Sequence, residues 1–528
     1  MIDTPRPDQN TDSGGTGNAA KGRTWTLIVA CLCVSLVISS MVALNTALGE
    51  IAVATSATQS QLTWVVDGYT LVLACMLLPA GAIGDRYGRR GALLIGLLIF
   101  TVASVAPAIF DSPLQIILAR SVAGAGAAFV MPATLSLLTA AYPKDERAKA
   151  VGIWAGIAGS GAVMGMMGSG LLLLLWSWQA IFWAFAAAGL LLFLLSWTIS
   201  SSRDDNATPL DWPGAVLIGA AVAVFVYGTM EAPTRGWSDP LVCTCIIGGL
   251  ALAAAFGVVE LKRRHPLLDV RLFANPNFAT GSAGVATLFF ANFGFFYVVM
   301  QYIQLVMGYS PIKTALALSP LTLPILTLSA LAAWYVPRLG LRLVLSVGLL
   351  LVSAGLIALR VLEVNAPYWH LAWPLLILSS GIGFCTAPTT SAIMGAAPDE
   401  KQGVASAVND TTRELGAALG IALAGSILAA QYANVLRPAL TAFPAPVRGP
   451  ASSSLAQALE VSKHLGPQGA PLAELGKSAF LAAMESSMLV LAVLVAVAAV
   501  AIGLWSPGRD GQQLRPVRWL TSRHRAGR

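Results

Sequence analysis

The sequence predicts an all-α integral membrane protein with fourteen transmembrane helices, arranged as two six-helix bundles plus two extra central helices. Three observations carry this. Of the 528 residues, 56% are apolar and 11% charged, with a mean hydropathy of +0.73, whereas a soluble domain carries about 25% charged residues. Apolar runs of the ~20 residues that cross a bilayer recur along the whole chain. Short motifs in the first half return, degraded, in the second. This composition excludes most soluble enzymes, nucleic-acid binders and secreted disulfide scaffolds. Fifty Gly and 29 Pro are scattered through the apolar runs. Lipid tolerates them because neighbouring helices satisfy the freed backbone groups.

Residues 1–24 are polar and read as a disordered cytoplasmic tail. They are not a signal peptide, because the apolar run that follows is long enough to span and stays. Six spans near 26–48, 63–83, 92–110, 114–139, 149–173 and 180–200 make an N-terminal bundle over 25–202. Two spans near 213–231 and 241–260 form an insert over 203–272. Six more near 279–307, 314–336, 343–361, 370–396, 404–430 and 480–505 make a C-terminal bundle over 273–505. One long outer loop, 431–476, is rich in Ala and Pro and has room for a short helix around 455–464; residues 506–528 form a basic tail.

The repeat is visible in Gly84-Asp85-Arg86-Tyr87-Gly88-Arg89-Arg90 after the second span and Arg338-Leu339-Gly340-Leu341-Arg342 after the tenth. Pro143 to Glu146 before the fifth span likewise echoes Pro398 to Glu400 before the thirteenth. Two parallel six-helix halves enclosing a mid-membrane site describe a secondary transporter. Lys and Arg fall on the side of both termini about threefold more often than on the other, which makes that side cytoplasmic. The same bias accounts for the net charge of +7 without a nucleic-acid partner. The sequon at Asn206 then lies on the cytoplasmic side and has no use. Cys31 and Cys33, like Cys243 and Cys245, are two apart on one helix and point to different sides. All six cysteines read as buried thiols. The four histidines are far apart in sequence and no P-loop appears, so neither a metal, a cofactor nor ATP is expected. A catalytic cluster for a membrane enzyme and a filter-like run for a channel are both missing from the sequence.

The run Gly81-Ala82-Ile83-Gly84-Asp85-Arg86-Tyr87-Gly88-Arg89-Arg90 resembles the loop 2–3 signature of the major facilitator superfamily. Gly81 and Gly84 permit close helix contact, Gly88 permits a tight turn, and Asp85 suits a helix N-terminus. The resemblance implies that this element latches the outward-facing state. Further runs resemble the 14-span branch of that family, the drug:proton antiporters of the EmrB/QacA type. These are Trp64-Val65-Val66-Asp67-Gly68-Tyr69, Gly236-Trp237, Gln301-Tyr302-Ile303-Gln304 with Gly308-Tyr309-Ser310-Pro311, and Gly403 to Gly416 around Asn409-Asp410. Two positions depart from that branch. Ser40 stands where an acid is usual in span 1, and Met166 replaces the Pro of the span 5 signature, which here reads Gly165-Met166-Met167-Gly168-Ser169-Gly170.

Ionisable residues inside the membrane cost about 2.5–3.5 kcal/mol each and are functional candidates by default. Asp67, in the outer half of span 2, matches an acid implicated in proton or cation handling; the alternative is that it caps its own helix. Arg120 in span 4 resembles the arginine proposed to tune proton transfer, or else it serves as a donor to backbone carbonyls. Asp410 and Glu414 share one face of span 13, with Arg413 beside both. They either face the cavity and attract an organic cation or are neutralised by Arg413. Asn45, Trp64, Tyr297 and Gln301 complete the candidate substrate-binding set, each with a packing or interfacial alternative; Glu485 reads more readily as a helix-pairing residue. The reading is a proton-coupled exporter of amphipathic, cationic drugs or toxic compounds working by alternating access in a bacterial plasma membrane. Its partners are the substrate, protons and the bilayer, and a monomer is expected. The alternative keeps the fold and exports a specific endogenous metabolite, peptide or lipid.

Overall fold

A computed structural model describes residues 13–57, 59–110, 112–202 and 209–513. Among these residues the elements are helices, with no strand. Fourteen helices are long and apolar enough to cross a membrane. Spans 1 to 6 are Lys21–Thr46, Gln61–Tyr87, Arg89–Ile109, Pro113–Ala141, Lys144–Leu175 and Gln179–Ser196. Spans 7 and 8 are Trp212–Arg235 and Pro240–Lys262. Spans 9 to 14 are Pro276–Val306, Ile312–Ala330, Leu341–Val361, Tyr368–Ala396, Asp399–Ala439 and Gly466–Trp505.

The helix pairings repeat between the halves. Spans 1–4, 1–5, 2–4, 3–4 and 3–6 pack together, and the equivalent pairs 9–12, 9–13, 10–12, 11–12 and 11–14 pack likewise. The halves meet along two seams that the same correspondence exchanges: span 5 against span 10, and span 13 against span 2. Small residues make both seams close. A Cβ on Gly81 of span 2 would lie 2.5 Å from the Gly403 carbonyl oxygen of span 13, and the reverse substitution meets the same obstruction at 2.6 Å. Spans 7 and 8 pack on each other, and span 7 lies against spans 2 and 13 together. Val222 and Val226 of span 7 bury with Ala74 of span 2 and Ala418 of span 13. The insert is therefore seated on one inter-half seam and is not tethered loosely outside the bundles.

Three segments differ from the sequence expectation. The first helix begins at Ser13, so residues 13–24 are helical and not a disordered tail; residues 1–12 lie outside the described residues. Ala19, Ala20, Lys21 and Arg23 are good helix formers that extend an apolar helix into a polar region. Most of 431–476 is also helical. Span 13 runs on to Ala439, short helices cover Ala445–Ser453 and Leu455–His464, and the last long helix starts at Ala470. Polar composition conceals this region, but packing holds it: Ser462 Oγ donates to the Gly469 carbonyl at 2.8 Å, and Leu455 and Leu472 are buried. Span 10 is broken into Pro311–Leu318, Thr322–Ala330 and Ala332–Leu339, because Pro320 and Pro324 withhold backbone donors near its first break. The sequon at Asn206 and most of the basic C-terminal tail lie outside the described residues.

Candidate transport site and gate

Both described termini lie on one face, termed the basic face here, with the 84–90 turn and the starts of spans 5 and 13. Gly88 ends span 2 with φ 113°, a conformation that favours glycine. Asp85 sits one turn before it, 4% exposed, and its carboxylate crosses to the other half. Oδ1 accepts from the Gly403 amide at 2.9 Å and Oδ2 from the Val404 amide at 3.0 Å. A carboxylate on the first free N–H groups of a helix is favoured by hydrogen bonding and by the helix dipole. Arg89, 3% exposed, donates from Nε to Asp85 Oδ1 at 2.9 Å and from Nη2 to the Asp399 carbonyl at 3.1 Å. Arg147 and Lys144 from the start of span 5 reach the Asp399 carboxylate at 2.7 and 3.6 Å. The helix N-terminus that Asp85 serves is thus that of span 13, in the opposite half. Arg90 stays within its own half, on the Trp197 and Ile199 carbonyls, and Arg86 lies over the Tyr87 ring at 5.2 Å. Gly84 faces Ala92, 3.3 Å from where its Cβ would stand.

Asp67 is half-buried, two turns into span 2, within electrostatic reach of Tyr297 in span 9 and Glu231 in span 7. Tyr297 is 39% exposed and packs its ring on Gly425 of span 13. Gln301 donates to the Tyr297 carbonyl at 2.9 Å, and the helix then widens into a π-turn over Tyr302–Val306, a distortion frequent at functional sites. So Tyr297 and Gln301 sit together on span 9, with Asp67 of span 2 within electrostatic reach of Tyr297. Trp64, one turn before Asp67, stacks on Tyr227 of span 7 at 6.0 Å. Asn45 is exposed in a tight turn and donates to the Val42 carbonyl at 3.1 Å.

Arg120 is 2% exposed. Its Nη1 donates to Ser40 Oγ at 2.8 Å, Nη2 to the Ser40 carbonyl at 2.9 Å and Nε to the Val65 carbonyl at 3.3 Å. The guanidinium also lies 4.2 Å from the centre of the Tyr69 ring, whose hydroxyl donates to the Val37 carbonyl. The residue that departs from the family pattern in span 1 is therefore the one on which the buried arginine docks. No carboxylate is among these partners.

Of the two alternatives for Asp410 and Glu414, the structure has them enclosed beside Arg413 and not open to a cavity. They are 1% and 6% exposed, and Arg413 between them is 2% exposed. Asn409 donates to Asp410 Oδ1 at 3.0 Å, Arg413 Nη1 lies 3.7 Å from the same oxygen, and Nη2 donates to Thr390 Oγ1 at 3.2 Å. The guanidinium lies 5.2 Å from the centre of the Trp154 ring of span 5 and 5.1 Å from that of Phe289 of span 9. Helical spacing put the two acids on one face of span 13, but that face is covered by the other half. Sequence reasoning missed Trp154, Thr390 and Glu231. The run Gly152-Ile153-Trp154-Ala155-Gly156, a large aromatic among small residues, was the available signal for the first. Glu231 sits one turn before the end of its helix and pairs with Arg235 at 2.5 Å. Glu485 pairs with Arg360 at 3.8 Å. Among the described residues no group of three or more His, Cys, Asp or Glu is placed to hold a metal.

Two pseudo-symmetric helical halves that meet along two seams, with ionisable residues set inside the membrane-spanning helices, fit a membrane transporter. The chain belongs to the Major Facilitator Superfamily, whose profile matches residues 28–421. It is 33% identical over 426 residues to the multidrug resistance protein Stp of Mycobacterium tuberculosis, covering 80% of this chain and 79% of that one. It is 30% identical over 496 residues to the methyl viologen resistance protein SmvA of Salmonella typhimurium, covering 92% and 98%. It is 28% identical to the tetracenomycin C resistance and export protein of Streptomyces glaucescens, covering 96% of each chain. Its fold resembles the proton:xylose symporter XylE bound to 6-bromo-6-deoxy-D-glucose, with a TM-score of 0.58 at 14% identity over 95% of this chain and 99% of that one. It also resembles a bacterial homologue of the human lysosomal transporter Spinster, with a TM-score of 0.58 at 18% identity over 92% and 97%.

Proposed function

We propose that the protein is a proton-coupled exporter of amphipathic, cationic compounds, set in a bacterial plasma membrane with its basic face in the cytoplasm. The observation that carries this reading is the pairing of an inter-half latch at Asp85 with an intramembrane carboxylate, Asp67, facing the second half near Tyr297. The latch holds the cytoplasmic ends together while the outer half of the pathway accepts protons at Asp67. A proton on Asp67 removes the charge that attracts a cation, so a bound proton and a bound cation exclude each other at one carboxylate and proton entry drives substrate release. Arg120, fixed on Ser40 and Tyr69, adds a permanent positive potential to the same half. The relatives' names as drug resistance and export proteins support the direction of transport and the substrate class.

The test is transport in proteoliposomes with an imposed pH gradient, following a lipophilic dye cation, for wild type and Asp67→Asn. Gradient-driven dye movement lost in Asp67→Asn supports the reading. No dye movement by folded wild type overturns it. That outcome favours the second reading, export of a specific metabolite, peptide or lipid. Ser40 speaks for it, because a hydroxyl in place of a span 1 carboxylate leaves one acid fewer for a cation to meet.

A further inference from the structure

Spans 7 and 8 meet at the basic face through two buried acids that share one space. Asp211, 6% exposed, stands just before span 7; its Oδ1 accepts from the Gly214 amide at 3.0 Å and caps that helix. Glu260, 3% exposed, stands in the last turn of span 8; its Oε2 accepts from the Leu268 amide at 3.0 Å and holds the chain where it folds back after the helix. Each carboxyl thus commits one oxygen to the backbone. The remaining oxygens, Asp211 Oδ2 and Glu260 Oε1, are buried with no hydrogen-bond partner among the described residues. They crowd one point. A Cβ on Gly214 would lie 2.5 Å from Glu260 Oε1 and 3.1 Å from Asp211 Oδ2, and the two side chains are within hydrogen-bond reach of each other. Two buried acceptors facing each other lack a donor, and two carboxylates sharing a site do not both ionise. A single proton supplies the donor and removes the repulsion. The negative charge that remains is met by Arg263, whose Nε lies 3.4 Å from Asp211 Oδ2.

The pair adjoins the latch. Asp211 lines a cavity of about 30 Å3 with Leu267, Asp85, Arg86, Lys401 and Val404, which is room for a water molecule to carry a proton in or out. Leu268, held by Glu260, and Leu267 beside it bury in the same core as Ala82 of span 2 and Val404 of span 13. The charged groups around the pair are Arg263 on the adjoining turn, and Asp85, Arg86 and Lys401 across the cavity; Lys262, Arg264, His265, Asp269 and Arg271 are exposed. We propose that Asp211 and Glu260 bind one proton between them and that this proton pins the turn between spans 8 and 9 against the latch, so that the basic face loosens when the proton leaves. The proton passes to water through the cavity, and two negative charges are left against one half-exposed guanidinium. Repulsion then moves Glu260 away, frees the Leu268 amide and withdraws the two leucines from beside Ala82 and Val404. The closed face binds the proton and the open face releases it, so closure is strongest where the pair is protonated and is lost as pH rises through its release. The site involves neither Asp67 nor any cargo, so it stands or falls apart from the exporter reading.

The experiment titrates the full-length protein with pH in lipid nanodiscs, without substrate or gradient, and reads it in two ways. Infrared difference spectra report the C=O stretch of a protonated carboxyl. That band is expected to weaken as pH rises in wild type, and the pair's share of it is expected to be missing from both Glu260→Gln and Asp211→Asn. Each variant keeps its backbone hydrogen bond and turns an NH2 toward the opposite oxygen, which imitates the protonated pair and protects folding. Spin labels at Lys149→Cys and Arg338→Cys, with the six native cysteines replaced, report closure of the basic face. In wild type the ratio of open to closed molecules is expected to rise about tenfold over one pH unit, the limit for one coupled proton. In Glu260→Gln the ratio is expected to stay at its low-pH value throughout. A carboxyl band that is the same in wild type and both variants overturns the shared proton. A ratio that does not move with pH in wild type, or that rises equally in Glu260→Gln, overturns the link to the latch.

Discussion

Asp85→Asn is the substitution whose effect the geometry specifies most fully. The carboxylate joins the halves through two amide hydrogen bonds, at 2.9 and 3.0 Å, and balances Arg89 in a buried position. Hydrogen bonds to a charged group contribute about 1.5–3 kcal/mol each, against about 0.5–1.5 for neutral ones. Asn keeps one acceptor, turns an NH2 toward the other amide and forfeits the favourable term at the helix N-terminus. The closed state at the basic face loses about 3 kcal/mol on this reckoning, a shift of roughly a hundredfold toward opening. The assay is electron–electron resonance between spin labels at Lys149→Cys and Arg338→Cys, with the six native cysteines replaced by alanine. These positions are exposed and stand on opposite halves of the basic face. A second, longer distance population is expected in Asp85→Asn. An unchanged distribution in folded protein would refute the argument that Asp85 holds the halves together.

Three further outcomes follow from named contacts. Gly403→Ala places a Cβ 2.6 Å from both Asp85 Oδ1 and the Gly81 carbonyl oxygen, so the same label pair should report opening as large as that of Asp85→Asn; an unaltered closed population would count against the seam. Ser40→Asp gives buried Arg120 a carboxylate at a position where Nη1 already finds oxygen at 2.8 Å. Thermal unfolding of the purified protein should rise by the equivalent of about 1–2 kcal/mol, and a lower midpoint would mean that the site has no need of a counter-ion. Trp237→Phe removes the indole N–H that donates to Ser426 at 2.9 Å. It should cost about 1 kcal/mol in the same unfolding measurement and leave Asp67-dependent dye transport in place; loss of that transport would give the 7–8 turn a part in the pathway that a structural tie does not explain.

The spans were legible because lipid imposes one condition on every segment, and a 20-residue apolar window reports it directly. The repeat was legible because the 84–90 and 338–342 turns keep their glycine and arginines at matching places. The same hydropathy reading misplaced the ends of helices whose terminal turns are polar, as at Ser13 and Ala470, since those turns are held by packing and capping that a window average does not register. Asp67, Arg120 and Asp85 stood out as candidates because a charge inside an apolar run announces itself. Trp154 and Phe289, two aromatics among many, did not. Their meaning arises only when span 5 of one half is laid on span 13 of the other. The pairing of Arg120 with Ser40 lay between these cases: both residues were singled out from the sequence, but 80 positions of chain separate them and their contact is tertiary.

Span 7 rests on the seam between spans 2 and 13, and among the described residues neither inserted helix packs closely on the seam between spans 5 and 10. One joint is therefore a three-helix sandwich of interlocked Val, Leu and Phe side chains, and the other is a sliding contact in which Gly152 and Gly156 ride on the backbone of span 10. Two joints of unequal stiffness do not share a rotation equally. The pivot moves toward the stiffer one, and the wider stroke falls at the glycine side. In the alternating-access cycle proposed above, the hinge of this molecule is therefore expected beside its inserted helix.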